Sequence, residues 1–555
     1  MKLNINILVL CMVCSCSISS LFAQSNKEHV TIVGSFQPKL GEFNKINVLP
    51  EIENTTFEIG DTSVMRTDTV LTSDIELELI SPINLKTEET QDNFTNFVLA
   101  GLGTRISPVF IYMHNSKLSK NTSFGLGISH HSSWLNKQEY APSSFMNSSF
   151  GISLDNKLNN YLLKTKVIYK NEMLRHYGFF PDDFPTVNVD VESITQKYQT
   201  VGLQSHLQGN TKTSIGFNHE IGVSYQYFHD KFQTDEHSFA VETKGEKSYK
   251  WLKNNAKQSI SLEAGLQTWF NSDSLKTANN MQLVARPSLK LAGDFYQLKL
   301  GFAVVLHSHE NSNIHLYPAL EGGLFLLDKN LKFYSSLGGD AQRVSFQKLA
   351  NENPFVSSIV PMHWQQTKID FKGGVKALVM KNLDLNFGIG YRKTDDEFFF
   401  ITDSTAPFSN KFLVVYDDVE VVSFVAEAAY RFNRRIDVKA VYHNTRYTTK
   451  TLTTAFYRPV NQIQLSGEYA YNETLHFTSS IYYVGERMAS TYKSGTETLH
   501  SLTPYVDLNI GARYKVNESF NVFVQTNNLL NLHYDRFYHF PVNGVEFYGG
   551  ITIRF

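Results

Sequence analysis

Apolar and polar residues alternate along the chain from residue 96 to the carboxyl terminus, in segments of about ten or more residues. In one of these segments the apolar face carries Val506, Leu508, Ile510, Ala512 and Tyr514, and the opposite face is mostly polar. Successive side chains of a β-strand point to opposite faces, so this pattern predicts two-faced strands. Such strands build either a soluble β-sandwich or a transmembrane β-barrel, because both bury one face of each strand.

The connections between the predicted strands arbitrate between these folds. Short and long connections fall on opposite ends of the strands, as in outer-membrane barrels with short periplasmic turns and long extracellular loops. The predicted fold is therefore all-β, a transmembrane antiparallel up-and-down β-barrel over residues 96–555, with about 22 strands and a range of about 20 to 24. An even strand number returns both termini to the periplasmic side. The long loops are predicted at 174–194, 340–364, 395–419, 487–503 and 530–544.

Residues 1–23 are predicted to be a signal peptide. Lys2 precedes an apolar stretch over residues 7–22, and Ala23 supplies a small residue at the cleavage position. All three cysteines, Cys11, Cys14 and Cys16, lie in this segment, which excludes a disulfide framework in the exported chain. Beyond it, no apolar stretch approaches the ~18 residues that a membrane-spanning helix requires.

Charge and motifs exclude several functions. The chain has 51 Lys and Arg against 53 Asp and Glu and lacks basic runs, so no nucleic-acid partner is predicted. No nucleophile, zinc or phosphate-binding motif occurs, and we expect no enzyme, cofactor or bound metal. Acidic clusters at 182–183, 395–397 and 417–418 leave a barrel-mouth enzyme as a weaker alternative. His307, His309 and Glu310 could form a metal site at a barrel rim, although two ligands at such spacing are common by chance.

The end of the chain resembles a known family. Residues 516–531 (VNESFNVFVQTNNLLN), with Tyr534, Phe537 and the closing strand at 547–550, look like the carboxyl end of a TonB-dependent transporter barrel. Residues 482–487 (YYVGER) resemble the strand before the penultimate long loop of the same family. The resemblance implies a porin-like barrel in the outer membrane of a Gram-negative bacterium that passes a small nutrient. The alternative is a non-transporting structural or assembly subunit of an outer-membrane complex.

Residues 24–95 depart from the family, because they are too few for its complete plug domain. A 22-stranded barrel normally has a plugged lumen, so we expect either a reduced plug or a periplasmic arm. Within this segment Glu28, Val30, Thr31, Ile32 and Val33 resemble the stretch by which family members contact TonB. An extended segment could add a strand to a sheet of TonB, or of another periplasmic or outer-membrane protein. A short strand without a partner is the alternative interpretation.

Two further sets of residues follow from the strand pattern. The closing strand ends on an aromatic residue and resembles the signal that outer-membrane barrels present to the barrel insertion machinery; its apolar face carries Phe547, Ile551, Ile553 and Phe555. The machinery and outer-membrane lipid are therefore expected partners. The polar faces supply possible lumen-lining residues of mixed sign, which predict no strong preference for ions of one charge: Asp384, Arg392, Glu427, Arg431, Lys439, Glu468, Asp507, Arg513 and Arg554.

Overall fold

The computed structural model describes residues 95–137, 139–186, 189–209, 217–251, 257–308, 312–380, 382–432, 435–493 and 496–555. The predicted signal peptide and TonB contact lie outside these residues. Within them, 22 strands form one sheet in which each strand pairs with its neighbours in the chain, and the last strand pairs with the first. The prediction of an antiparallel up-and-down barrel of about 22 strands is confirmed.

The barrel strands, numbered in chain order with the strands outside the barrel, are β1 Asn96–Gly103, β2 Ser107–Lys117, β3 Thr122–Ser133, β4 Phe145–Leu158, β5 Tyr161–Arg175, β6 Thr195–Gly209, β7 Phe217–Asp230, β8 Asp235–Tyr249, β9 Lys257–Ser272, β10 Thr277–Ala292, β11 Tyr296–Ser308, β12 Ser312–Leu326, β13 Leu331–Arg343, β14 Trp364–Met380, β15 Leu383–Thr402, β16 Phe412–Phe432, β17 Ile436–Thr449, β18 Asn461–Ala470, β19 Leu475–Val484, β22 Tyr505–Lys515, β23 Phe520–Asn527 and β26 Glu546–Arg554. Two small hairpins lie outside the barrel, namely β20 Arg487–Lys493 with β21 Thr496–Leu502, and β24 Asp535–Phe537 with β25 Phe540–Pro541.

The barrel closes between β1 and β26, whose paired residues run from Phe97 opposite Arg554 to Gly103 opposite Tyr548. Directly opposed residues of an antiparallel pair lie on the same face of the sheet. This register continues around the ring and assigns every strand one inward and one outward face. Closure pairs β1 with β26, so the ring has no unpaired first or last strand and its ladder hydrogen bonds form within the protein.

The outward face carries an apolar belt. Along β16 the outward residues from Phe432 to Val422 are apolar or small, and the first charge beyond them is Glu420, which pairs with Lys393 at 2.6 Å. Ten residues at about 3.3 Å each and a tilt of about 40° cover roughly 25 Å, the height of the apolar band in outer-membrane barrels. Strands β15 and β16 continue beyond the belt, where their residues contact water or other loops.

The two ends of the barrel differ. At the end that carries Thr95 and Phe555, called the terminal end, every connection is short, and the two longest lie at 210–216 and 250–256. At the opposite end, called the loop end, seven connections are long and four are short. The four short ones, at 104–106, 231–234, 273–276 and 309–311, show that the predicted length asymmetry holds at the terminal end and only partly at the loop end.

The predicted long loop at 395–419 is wrong for most of its length, because β15 extends to Thr402 and β16 begins at Phe412. A register shift between Thr394 and Glu397 interrupts the ladder, which then resumes as far as Thr402 opposite Phe412. The residues beyond this shift are Phe398, Phe399, Phe400 and Ile401, all buried. Because both faces of this stretch are covered, it lacks the alternation that identifies the other strands.

Helical structure is confined to the loop end in the described part of the chain. The short helix α1 (Phe346–Glu352) begins after Ser345, whose hydroxyl accepts a hydrogen bond from the Lys348 amide at 3.2 Å. A single 3₁₀ turn spans Pro181–Asp183. Among the described residues, no helix is long and apolar enough to cross a membrane.

Candidate functional site: a cap over the barrel mouth

The largest apolar core of the described residues lies at the loop end and not along the barrel wall. We call the long connections that build it the cap: residues 134–144, 176–194, 344–363, 403–411, 450–460, 485–504 and 528–545. Their apolar side chains pack on one another and on the ends of β15 and β16. A wide barrel with a polar inner wall is thus combined with a covered mouth.

The cap spans the mouth from side to side. The connection after β5 reaches the connection after β15, and these strands lie ten positions apart in a ring of 22. The contact is reciprocal, because His176 Nδ1 lies 3.1 Å from the carbonyl oxygen of Asn410, and Asn410 Nδ2 donates to the carbonyl of His176 at 2.6 Å. A third hydrogen bond across the mouth runs from the Tyr177 hydroxyl to the carbonyl of Pro541, at 2.8 Å.

Phe355 lies in the middle of this core and is 2% exposed. Its ring stacks on Phe540 with centroids 3.9 Å apart, and it meets Tyr177 edge-on at 5.7 Å. Phe355 and its two partners come from three different connections, so one side chain joins segments that are distant in the sequence. Burial of a phenylalanine contributes about 1.5–3 kcal/mol relative to exposure, which favours the closed arrangement.

Arg487 ties the β20–β21 hairpin to the last connection. The side chain is 1% exposed and donates to the carbonyl of Arg536 at 2.8 Å and to the carbonyl of Asp535 at 2.7 Å. Its guanidinium also lies 5.3 Å from the ring centre of Tyr505. A buried arginine needs such partners, because an unsatisfied charged donor costs more than a neutral one. The hairpin is therefore held against the mouth by directional bonds as well as by packing.

A buried ion pair links the helix of the cap to the connection after β17. Arg458 Nη1 lies 2.7 Å from Glu352 Oε1, with side-chain exposures of 7% and 23%. Beside it on the barrel wall, Arg392 pairs with Glu397 at 2.9 Å. Burial opposes the charge of Arg458, but the carboxylates of Glu352 and Glu397 outweigh burial and raise the pKa of the guanidinium above its ordinary value. The guanidinium of Arg458 thus remains charged at any physiological pH.

Replacing Arg458 by methionine should loosen the cap by about 1–3 kcal/mol, because the partly buried Glu352 carboxylate loses its charged partner. The double variant Arg458→Met, Glu352→Leu should recover most of this loss, since apolar side chains of similar volume replace the pair. The measurement is hydrogen exchange of the cap amides at constant temperature. Equal exchange in the single and double variants would show that the two charges are not coupled.

The acidic clusters of the cap rim are engaged in structural contacts. The Asp417 carboxylate accepts hydrogen bonds from the amides of Thr451 and Leu452, at 2.8 Å and 2.9 Å. Burial opposes its ionisation, but these bonds outweigh burial and hold its pKa below the ordinary value. Ion pairs join Asp418 to Lys450 at 2.8 Å and Lys368 to Asp395. The clusters at 395–397 and 417–418 lie side by side, because Glu397 is opposite Asp417 in the ladder and the Asp396 amide donates to Asp418, and these contacts stabilise the hairpin.

The possible metal site at the barrel rim falls only partly within the described residues. His309 and Glu310 lie outside the described residues. His307 instead faces His315, with the two Nε2 atoms 3.0 Å apart, and stacks on Trp364 with ring centroids 4.3 Å apart. In the described part of the chain, no group of three or more His, Cys, Asp or Glu side chains is placed to hold a metal ion.

The nine possible lumen-lining residues all lie on inward faces according to the register. Three of them form a row across adjacent strands, where Arg431 is opposite Asp437 and Asp437 is opposite Glu468. Asp507 lies near the mouth and accepts a hydrogen bond from the Tyr534 hydroxyl at 2.6 Å. The nine residues are distributed over β15 to β18, β22 and β26 and do not converge on one site.

The closing strand places Phe547, Ile551, Ile553 and Phe555 on the outward side, where Phe547 and Phe555 are 49% and 60% exposed. The Phe555 carbonyl accepts hydrogen bonds from the amides of Thr95 and Asn96, at 3.0 Å and 2.8 Å. The last residue of the chain thereby ties the two ends of the barrel sheet.

The residues that matter most for the cap were not identified from the sequence. Phe355 lies in an irregular segment and Arg487 begins the short strand β20 outside the barrel. The residues of the last connection that they contact are more than 40 positions away. The one available signal was the aromatic run at 398–400, an apolar cluster inside a predicted solvent-exposed loop. Such a run is unexpected in a solvated loop and indicates a buried one.

Comparison with known proteins supports the architecture. No family model and no curated protein matches the chain. The ferric-catecholate import receptor Fiu from E. coli K12, in its closed form, is similar with a TM-score of 0.64 and 10% identity over 84% of this chain and 82% of that one. The siderophore receptor PirA from Acinetobacter baumannii is similar with a TM-score of 0.64 and 9% identity, over 83% of this chain and 80% of that one. The ferripyoverdine receptor of the Pseudomonas aeruginosa outer membrane has a TM-score of 0.63 and 12% identity, over 83% and 72%. At such identities the likeness is one of fold.

Proposed function

We propose that this protein is an outer-membrane barrel of the TonB-dependent receptor type that passes a small nutrient through a gated lumen. The observation that carries the proposal is the cap, whose contacts between opposite sides of the mouth cover the barrel. A simple open pore has no need of such a cover, whereas regulated passage requires one. The similarity of fold to import receptors for ferric catecholates and ferripyoverdine supports uptake as the class of function.

The proposed orientation places the loop end outside the cell and the terminal end in the periplasm. The short connections at the terminal end and the outward apolar belt agree with this placement. The protein would then reside in the outer membrane of a Gram-negative bacterium, with outer-membrane lipid around its belt. Nutrient would first meet the cap, and its passage would require movement of segments that include Phe355 and Arg487.

Residues 24–94 are proposed to enter the lumen from the periplasmic end as a reduced plug. The segment carries 13 acidic and 5 basic side chains, a net charge of −8, whereas residues 95–555 carry 45 basic and 40 acidic side chains, a net charge of +5. Opposite net charges favour association of the two parts. The segment joins the barrel at Thr95, on the terminal rim. Its first residues, with Glu28 and Val30 to Val33, would remain available to TonB by strand addition.

Single-channel conductance in planar bilayers tests this proposal with four proteins. These are the mature chain, a chain lacking residues 24–90, the variant Phe355→Ala and the combination of both changes. If the cap and the segment are two barriers in series, only the combination conducts steadily. Leu275→Ala, an exposed leucine in a short loop-end turn, is the matched control for the cap substitution.

The other outcomes are equally informative. Steady conductance of the unmodified mature chain would identify an open pore and contradict the gate. Conductance of Phe355→Ala alone would show that the amino-terminal segment does not block the lumen and is better described as an arm. If none of the four proteins conducts, transport is contradicted, and the structural or assembly role becomes the better explanation.

The closing strand leads to a separate prediction about assembly. Phe555→Ala removes an outward side chain but leaves the backbone bonds to Thr95 and Asn96 intact. Because surface substitutions usually change stability by less than about 0.5 kcal/mol, the purified barrel should be unaffected. If the terminal aromatic is the signal for the insertion machinery, assembly in cells should slow several-fold.

Pulse-chase appearance of the heat-modifiable folded form measures this rate. Val524→Ala is the matched control, because Val524 is also outward and 57% exposed but lies on the preceding barrel strand. Equal assembly rates for the two variants would contradict a signalling role for Phe555.

A further inference from the structure

The sheet of the barrel is split between β12 and β13 in its loop-end half. Residues 320–326 of β12 pair with residues 331–337 of β13, and the pairing stops there although β13 continues to Arg343. On its other side β12 pairs with β11 along its whole length. Residues 312–319 therefore form a strand edge, called the free edge, which has no neighbouring strand on the β13 side among the described residues.

β13 turns inward where the split begins. A Cβ atom on Gly339 would lie 2.5 Å from Cδ1 of Tyr317, an inward residue of β12, so glycine permits this close approach. Ala341 then packs with Ala303, Val305 and Tyr317 on the inner face of β11 and β12. The loop-end half of β13 thus lies inside the wall of the barrel and not beside β12.

Side chains of β10 hold this half of β13 in its inward position. Arg286 Nη2 lies 3.2 Å from Asp340 Oδ1, and the side-chain amide of Gln282 donates to the carbonyl of Ala341. A continued ladder would place Ala341 opposite Leu316, because the paired residues above it in β12 and below it in β13 set that register. Since Ala341 is bound to β10 instead, β13 does not pair with the free edge.

The backbone groups of the free edge point into the split at alternate residues. The Phe325 amide donates to the carbonyl of Phe295, which lies on the β11 side. Alternate residues of a strand direct their N–H and C=O groups to opposite neighbours, and the β11–β12 register has no shift, so Ile314, Leu316 and Pro318 face the split. The N–H groups of Ile314 and Leu316 have no hydrogen-bond partner among the described residues. Pro318 has no N–H group, as is typical of an edge position.

The free edge starts within the apolar band. Seven paired residues lie between the terminal end of β12, at Leu326, and the split, which is roughly 18 Å at a tilt of about 40°, compared with a band of about 25 Å. The side chains of Ile314 and Leu316 are each 70% exposed, because a neighbour on the β13 side is missing. Backbone groups at this depth meet neither water nor a polar lipid group, so an unpaired edge is strongly unfavourable.

The chemistry of the free edge restricts what can occupy it. The occupant must supply backbone donors and acceptors, which an acyl chain lacks. A second copy of this chain fits poorly, because two copies in one membrane direct their β12 strands the same way and cannot pair antiparallel. The free edge also carries no Lys, Arg, Asp or Glu, the residues by which exposed edges usually prevent strand addition. An extended segment of another protein meets all of these conditions.

We propose that the free edge binds an extended segment of a partner protein, which adds one strand antiparallel to β12 and fills the split. Main-chain hydrogen bonds to Ile314 and Leu316 provide the pairing. Apolar side chains at alternate positions of the added strand face the bilayer beside those of Ile314 and Leu316. Strand addition requires neither transport nor contact with TonB, so its test is independent of the conductance experiment.

Disulfide trapping with a synthetic peptide tests the proposal, because residues 24–555 contain no cysteine. The probe is a short peptide of leucine alternating with threonine between terminal lysines, with one cysteine moved along it. Ile314→Cys and Leu316→Cys proteins in phosphatidylcholine vesicles present the free edge. Leu306→Cys is the matched control, because Leu306 lies directly opposite Ile314 on β11, which is paired on both sides. Each variant is first checked for the folded, heat-modifiable form.

An added strand has one register, so the cross-linking yield should peak at one peptide position for each free-edge cysteine. Moving the protein cysteine from residue 314 to residue 316 should move the peak by two positions toward the amino terminus of the peptide, because the pair is antiparallel. A yield that does not depend on the peptide position, or one no higher than that of Leu306→Cys, would overturn the proposal.

A proline substitution tests whether the backbone carries the interaction. In the Ile314→Cys protein, Leu316→Pro removes the N–H group that faces the split and leaves the β11 ladder intact. The peak yield should fall several-fold, whereas Leu316→Ala, which keeps this N–H group, should retain most of it. Equal yields from the two variants would show that the peptide contacts side chains alone and would overturn strand addition.

The same cysteines reveal the other occupants. Disulfide-linked dimers of Ile314→Cys that form without peptide, and faster than those of Leu306→Cys, would identify a second copy as the occupant. A disulfide between the cysteines of the double variant Leu316→Cys, Ala341→Cys would show that β13 itself returns to the free edge. Either result would overturn the proposal.

Discussion

Gly550→Ala is expected to prevent closure of the barrel. A Cβ atom at this position would lie 2.3 Å from the carbonyl oxygen of Ala100 and 2.7 Å from the Cα atom of Gly101. Both are backbone atoms of β1, the strand that pairs with β26, so they cannot move aside without opening the ladder. Overpacking in a well-packed site costs about 1–3 kcal/mol when side chains can adjust, and more when only backbone can. We expect at least a tenfold loss of folded barrel.

The neighbouring glycine provides the control for this prediction. A Cβ atom on Gly549 would meet nothing within 4 Å, because this residue lies on the outward face of the same strand. Gly549→Ala should therefore assemble normally. The measurement is the heat-modifiable fraction after refolding into detergent micelles. Comparable folded fractions for the two alanine variants would show that the backbones of β1 and β26 are far enough apart at Gly550 to accommodate a Cβ atom.

Phe355→Ala is expected to release the cap while the barrel stays intact. Truncation of a buried phenylalanine costs about 3–5 kcal/mol, since the transfer free energy is lost and a cavity remains. If the cap opens as a unit, its opening equilibrium should shift by roughly 10²- to 10⁴-fold. Phe355 packs on Phe540 and Tyr177, so the effect should reach the connections after β5 and β23 as well as its own.

Native-state hydrogen exchange distinguishes a local from a global effect of this substitution. Amides of the cap, including that of Val356, should exchange faster, and amides of the barrel ladder should not change. The exposed substitution Leu275→Ala should leave both sets unaltered. Faster exchange throughout the ladder would contradict an independently opening cap. No change anywhere would show that Phe355 does not hold the cap closed.

The barrel strands were predictable from the sequence because each one is encoded by the residues of its own segment. A residue is directed inward or outward by its position within a strand, so alternation over ten residues reveals both the strand and its faces. The alternation begins at residue 96, and the first barrel strand begins there, at Asn96. The closing ladder pairs Phe97 with Arg554. An even number of antiparallel strands makes such a ladder possible, and the pattern of connection lengths led to the prediction of a barrel without knowledge of that contact.

The cap was not predictable in the same way, because it depends on contacts between segments without periodicity. The stretch at 398–401 is apolar at every position, because both faces of the strand are covered there. It therefore lacks the alternation of the other strands, and the sequence predicts a loop in its place. Nothing in the sequence relates Arg458 to Glu352, which lie 106 positions apart and pair only when two connections meet over the mouth.

Gly549 and Gly550 illustrate the difference between sequence information and tertiary contacts. Both are glycines, yet a Cβ atom on Gly549 would meet open space, whereas one on Gly550 would meet the backbone of β1. The sequence by itself determined that the chain forms a two-faced sheet long enough to close, because strand periodicity is a property of each segment. Only the tertiary structure decided which segments meet across the mouth, because packing between distant residues is set by the closed ring that brings them together.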